Sequence, residues 1–401
     1  MLNPVRMSIS CNSVLTPKHV RKPITQPEID ANKHVYDEHF DKEYAQSMAE
    51  DILGPIMDYY FRAKFIGFDK APVRENGLPL IYASNHSGMS FPWDAIIFKA
   101  GVWRHFGKNM DHSVRTLSAP ALSFFHLMNL YLVPNYWKKV GAVDASFLNF
   151  ETMMQYEQGH VCIYPEGVPG IGKGFNKRYQ LQRFSTSTIR VALKHGATIQ
   201  PLSVVNGEFI NPLSYNVGWV NMIAQMLGLP FFPIGLTTPL IIFFPWMFYF
   251  AFPSNLKYVK GKSVNLQDWL EKPAEAANDD DVIKLRDKLQ AQMQFELNAA
   301  REQHGKWPYK IWDWMWTGLK NMNQFPYHIP LFWPAIFNYH DQFMKKNPGK
   351  KFVKPKGLLG LLKMIVKTPF TIFFFIPIFG WIPILLRGYR NKRLRLKIEM
   401  Q

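Results

Sequence analysis

Two short loops carry the residues whose types suit chemistry, and the first is Asn85-His86-Ser87-Gly88, followed by Asp94. His86 comes directly after an apolar run, and Asp94 opens the next helical stretch. An imidazole has an unperturbed pKa of about 6.5, so it can take a proton near neutral pH. A carboxylate beside it holds one tautomer and stabilises the imidazolium that forms. With no serine in the pair, the nucleophile would be the substrate's own hydroxyl. One His and one Asp eight positions apart fit equally well a loop histidine beside a helix-capping aspartate, so the pair alone does not decide.

The second loop follows Cys162-Ile163-Tyr164 and reads Pro165-Glu166-Gly167, with further glycines at 170, 172 and 174. Glycines let backbone N–H groups come close to a ligand. From Gly167 to Gly207 there are six cations (Lys173, Lys177, Arg178, Arg183, Arg190 and Lys194) and no acid. Such a stretch attracts anions. Coenzyme A phosphates, an acidic carrier protein or lipid headgroups would suit it, and so would plain solvation.

Other chemistries lack their residues. There is no G-x-S-x-G elbow for a serine hydrolase, and no Walker loop or dinucleotide fingerprint. His105, His112, His126 and His160 have no metal-ligand spacing, so no metal is expected. Two cysteines, Cys11 and Cys162, are too few for a zinc site or a disulfide framework and read as reduced thiols.

The elements that must position these loops alternate. Residues 78–84, 161–165 and 198–205 read as buried strands, and 256–264 as a last one. Residues 94–101 and 183–196 read as helices. Apolar positions from Lys42 to Phe65 recur at helical spacing, with Gly67 as the expected end. The run 281–301 is amphipathic, with Asp279, Asp280 and Asp281 suited to its start. Strands separated by helices predict an α/β fold with a mostly parallel sheet flanked by helices. The expected organisation is a loose arm over 1–40, a catalytic domain over 41–304, and a separate C-terminal region over 305–401.

Charge and greasiness favour lipid as the partner. The chain of 401 residues is 47% hydrophobic, 15% aromatic and carries a net charge of +17. From Lys345 onward 14 cations face one acid, Glu399. These cations flank 368–386, 19 uncharged residues, which points to anionic lipid and against nucleic acid. Three prolines and a glycine argue against a plain span there. Basic flanks on both sides predict a re-entrant hairpin on the cytoplasmic face. Residues 209–256 hold no charge and six prolines, which fits a dipping helix, an acyl-pocket wall or a buried core segment. The first twenty residues have no signal-peptide core, so export is not expected.

The two loops together are far more specific than either. An N-H-S-G…D loop, followed by a strand, P-E-G and the run Gly172-Lys173-Gly174-Phe175 on to Arg183-Phe184, resembles the glycerolipid (lysophospholipid) acyltransferase superfamily. The monoacylglycerol acyltransferase-like branch looks nearest. The resemblance covers roughly residues 50–300, including 140–146 and 204–208. It implies an O-acyltransferase that moves a fatty-acyl group from acyl-CoA or acyl-carrier protein to an acylglycerol or lysophospholipid hydroxyl, with no cofactor. It implies His86 as base and Asp94 as its orienter. Asn85, Ser87, Gly88, Glu166 and Gly167 would shape the substrate site, and Lys173, Lys177, Arg178 and Arg183 would meet anionic groups. The chain departs from the family in three places. Seven residues rather than four separate His86 from Asp94. The arginines usual after P-E-G and in the second motif are missing. The missing arginines favour a neutral acceptor such as an acylglycerol, while the basic residues from Lys173 on could replace them and keep a lysophospholipid open; a non-catalytic lipid binder with the same fold is the alternative that the widened loop supports.

Overall fold

The computed structural model describes residues 23–120, 122, 128–226, 232–383 and 385–386. Seven strands form one sheet: β1 (Lys64–Ile66), β2 (Ile81–Ser84), β3 (Val114–Ser118), β4 (Val143–Asp144), β5 (His160–Ile163), β6 (Ile199–Val205) and β7 (Lys257–Lys260). Their spatial order is β1-β7-β6-β2-β5-β3-β4. Every pairing is parallel except β6 with β7. Every residue of β2, β5 and β6 is buried. Strands covered on both faces read as continuous apolar runs, and that is why these three stand out in the sequence. β1, β3 and β4 do not, because they are short or carry polar residues such as Arg115 and Thr116.

One face of the sheet is covered by the helix Trp93–His105 and by the N-terminal helical run, which starts at Lys42–Ser47 and continues in wider turns over Met48–Leu53 and Ile56–Phe61. Met48, Ile52, Ile56 and Phe61 bury the apolar stripe. This run stops at Arg62, which has a left-handed backbone (φ 44°), and not at Gly67 as expected. The other face is covered by Phe147–Met153, Ser187–His195 and the 26-residue helix Asp279–His304. That last helix is opened by a reciprocal Asn278–Asp281 capping box, which satisfies two orphan N–H groups.

Two features of the expected organisation differ. Residues 26–36 are not a loose arm. Gln26–Ala31 is helical, Ile29 is buried, and Asn32 donates to Asn149 and Thr152. Residues 1–22 and 387–401 lie outside the described residues. The C-terminal region does not stand apart, because Tyr327, Trp333, Ile336 and Phe337 join the same core as Tyr60, Phe61 and Trp93. Those aromatic rings need a cover, and the helix Trp333–Lys346 supplies it. The Arg62 guanidinium ties the junction, donating to the carbonyls of Tyr60, Pro253 and Tyr309 with Asp313 alongside.

A greasy exterior remains. Leu240, Ile242 and Phe243 are exposed on the insertion, and Leu359, Val366, Leu385 and Leu386 on the C-terminal segment. The two patches touch: the Ile378 N–H donates to Phe243 O, and the Trp381 indole to Ile242 O. Among the described residues no single helix is long and apolar enough to cross a membrane. Gly357–Lys367 and Pro369–Phe375, bent by 100°, reach that length and composition only as a pair.

Candidate active site

β2 ends at Ser84, and the chain leaves the sheet at its carboxyl edge through the His86 loop. Asn85 locks that exit: its side-chain oxygen accepts from Val204 N at 2.7 Å and its amide donates to Val204 O at 3.2 Å. Asn85 is therefore a tie between β2 and β6, buried away from any substrate. Gly88 has a positive φ of 74°, and a Cβ there would lie 2.9 Å from Lys173 O. Only glycine lets the two loops run this close. The Met89 N–H donates to that same Lys173 carbonyl.

The His86 ring stacks on Tyr164, with centroids 4.2 Å apart and planes 20° apart. The His86 backbone N–H donates to Glu166 Oε1 at 2.8 Å, and the Gln182 N–H donates to the other oxygen at 2.7 Å. Glu166 thus clamps the His86 loop to the glycine-rich loop. Gly170 packs under both, since a Cβ there would sit 3.0 Å from the His86 ring and 2.4 Å from Glu166. Burial, with the Lys173 charge adding, holds the imidazole down to about 3. It is therefore unprotonated at neutral pH.

Asp94 is buried in the first turn of Trp93–His105. Burial pushes its carboxyl up to about 6 and the Glu208 charge adds to this, against the Ser87 hydroxyl and the Ala95 N–H, which favour the charged form. Its Oδ2 is buried without a hydrogen-bond partner. No hydrogen bond joins Asp94 to His86 in this structure, and the imidazole's close neighbour is Tyr164 instead.

A raised carboxylate pKa means the folded chain binds the proton more tightly than the unfolded chain does. The ionised form then costs stability above about pH 6, and the cost fades as pH falls through 6 toward 4. Asp94→Asn should therefore stabilise the fold at pH 7.5 by on the order of 2 kcal/mol, with the gain absent at pH 4. Thermal denaturation at the two pH values measures it, and an equal gain at both would contradict the assigned cause.

The basic residues separate into two groups. Lys173 does not belong to an anion-binding surface, as the sequence suggested. Its side chain is fully buried, with the amine 3.6 Å from Glu166 and 3.7 Å from Glu208, donating to Gln180 O. Two buried carboxylates need a cation, and Lys173 is that cation. Lys177, Arg178 and Arg183 are exposed, and no ion pair engages them among the described residues. Arg190 and Lys194 are matched by Asp279 and Glu151. Two residues of this cluster escaped the sequence reading. Tyr164 was hidden in a strand, and Glu208 is the acid that ends the acid-free stretch, a signal visible in hindsight. No group of three His, Cys, Asp or Glu residues among those described is arranged to hold a metal.

Beside the ring lies a cavity of about 1200 Å³. That exceeds the range of about 300–1,000 Å³ usual for small-molecule sites. His86, Tyr164 and Gly167 stand on its wall; Met48, Ile96 and Phe248 are among its apolar lining. Met222, Thr237 and Ile241 of the uncharged insertion also line it, so this segment is in part a pocket wall. Met222 is 62% exposed, which brings the cavity to the greasy exterior.

Residues 64–205 match the family model Acyltransferase. Uncharacterized proteins of Mycobacterium bovis and Mycobacterium tuberculosis are 28% identical over 202 residues, covering 50% of this chain and 52% of theirs. One of Mycobacterium leprae is 28% identical, with 51% of its length covered. The chain thus spans about half the length of the curated relatives it matches. Among solved structures, the 1-acyl-sn-glycerophosphate (LPA) acyltransferase PlsC from Thermotoga maritima aligns with a TM-score of 0.34 and 13% identity, over 68% of this chain and 88% of that one.

Proposed function

We propose that residues 64–205, which match the family model Acyltransferase, are a domain of the glycerolipid acyltransferase superfamily, and that the protein transfers a fatty-acyl group from acyl-CoA or acyl-carrier protein to the hydroxyl of an acylglycerol or lysophospholipid. The observation that carries this reading is the unprotonated His86 ring on the wall of a cavity large enough for a lipid chain. His86 takes the proton of the acceptor hydroxyl as its oxygen attacks the thioester carbonyl. The thiol leaves with a proton, and the imidazole returns to its free form. Asp94 is the partner for the imidazolium that forms. Exposed Lys177, Arg178 and Arg183 meet the phosphates or acidic surface of the donor. The greasy exterior, continuous with the cavity, seats the protein on the cytoplasmic face of a membrane.

The experiment is incubation of the purified chain in lipid vesicles with labelled acyl-CoA or acyl-carrier protein and a panel of acylglycerols and lysophospholipids, read by product mass. An ester product that depends on His86 is expected. The missing hydrogen bond between His86 and Asp94 favours a second reading, a lipid-binding protein that has kept the fold. Lipid binding with no product from any donor would establish that reading in its place.

A further inference from the structure

A cavity for methylene groups has no need of hydrogen-bond donors, yet one end of this one is built from them. Lys99 and Trp103 sit four residues apart on the helix Trp93–His105, so they share a face, and both line the cavity. Lys99 Nζ and Trp103 Nε1 are buried with no hydrogen-bond partner. Ser113 also lines the cavity, but it precedes Val114 on an extended backbone, so its side chain leaves on the face of the sheet opposite this helix. Arg115 completes the wall, with Nε and Nη1 held by the carbonyls of Gly141 and Tyr36. Burial, with the Arg115 charge adding, drives the Lys99 amine well below its ordinary range. Among the described residues no Asp or Glu lines the cavity. Each orphaned buried donor costs about 1–3 kcal/mol, so the two together are a standing expense that a ligand would remove.

Strand register gives the distance from the reaction centre. Arg115 lies opposite Val161, and Val161 opposite Ile81, five residues before His86. At about 3.3 Å per residue, the donor end is on the order of 15 Å from the base. Helix rise agrees: Lys99 and Trp103 lie about 8 and 14 Å beyond Asp94. An acceptor's own headgroup is only a few bonds from the hydroxyl being acylated, so it does not reach. Carbon chains with bonds of about 1.5 Å and angles near 111° advance roughly 1.25 Å per atom, so a chain of about a dozen carbons does.

We propose that the Lys99, Trp103 and Arg115 end of the cavity is a carboxylate subsite for a long-chain acid. Only the role of the His86 end rests on the acyl-transfer reading; binding at the donor end does not. On entry the acid passes its proton to the Lys99 amine, and the carboxylate so formed accepts from the ammonium and the Trp103 indole N–H. The carboxylate has two sources. It is the far end of a dicarboxylic acyl donor whose thioester faces His86, or the head of a free fatty acid that enters head first and fills the acyl channel.

The test compares binding of dodecanoic acid and its methyl ester to the full chain by equilibrium dialysis. A charge-assisted bond of about 1.5–3 kcal/mol predicts roughly 10–100-fold tighter binding of the acid. Lys99→Met should bring the two within about twofold. Trp103→Phe, which keeps the aromatic bulk, should reduce the preference in part. Equal affinities in the unaltered protein, or a preference that survives Lys99→Met, would overturn the proposal. The source is read from turnover. A dicarboxylic source makes the mono-CoA thioester of dodecanedioic acid a better donor than lauroyl-CoA. A free-acid source makes dodecanoate a competitive inhibitor of lauroyl transfer. If the acid preference stands while no thioester is turned over, the acyl-transfer reading fails and this subsite remains.

Discussion

Replacing His86 by alanine should lower kcat for acyl transfer by about 10²–10⁴-fold, the usual contribution of a positioned general base. KM for the donor should move by no more than about threefold, because the acyl chain is held by the rest of the cavity wall. The resting ring is held down to about 3, so it is in the accepting form throughout the physiological range. The difficulty lies in the imidazolium, which forms in a dry site near the Lys173 ammonium. A carboxylate must offset it, and Asp94 titrates near 6. The rate should therefore fall as pH drops below about 6, where Asp94 takes up a proton. In the Asp94→Asn protein the residual rate should lack that acid limb. A flat profile between pH 5 and 7 in the unaltered protein would remove Asp94 from the mechanism.

Lys173→Met should be the most damaging change to stability. Its amine lies between Glu166 and Glu208, and all three side chains are buried. Removing one member of a buried ion pair costs about 3–5 kcal/mol, because the partner charge is left uncompensated. Here two carboxylates are left. Adding Glu208→Gln to Lys173→Met should recover part of the loss. Denaturant titration of the unaltered protein and the two variants measures this, and a loss under about 1 kcal/mol for the single change would show that the carboxylates are not held charged by the lysine. The Glu166 clamp adds a functional readout. With Lys173 absent, the His86 loop loses its anchor, and kcat should drop further than the stability loss alone explains.

The parts of this molecule legible in the sequence are those where one physical force dominates. β2, β5 and β6 are buried on both faces, so their apolar runs announced them, and the long helix Asp279–His304 was marked by periodicity and by its acidic start. Both loops that meet beside the cavity were singled out by residue type and spacing. The role of Lys173 was misread because local charge counting sees six cations and no acid, whereas Glu208, 35 positions on, folds back to meet it. Arg62 and the helix Trp333–Lys346 were missed as parts of one core for the same reason: their partners are distant in sequence. The donor-lined end of the cavity has no motif, since Lys99, Trp103 and Arg115 converge only once the helix is laid over β3.

The meeting of exposed Leu240, Ile242 and Phe243 with the segment that carries Ile378 and Trp381 has a kinetic consequence. If the proposed membrane seating holds, the enzyme samples a two-dimensional film, so its saturation is set by the mole fraction of acceptor in that film. Diluting the film with inert lipid at fixed total acceptor should slow it, while adding water should not.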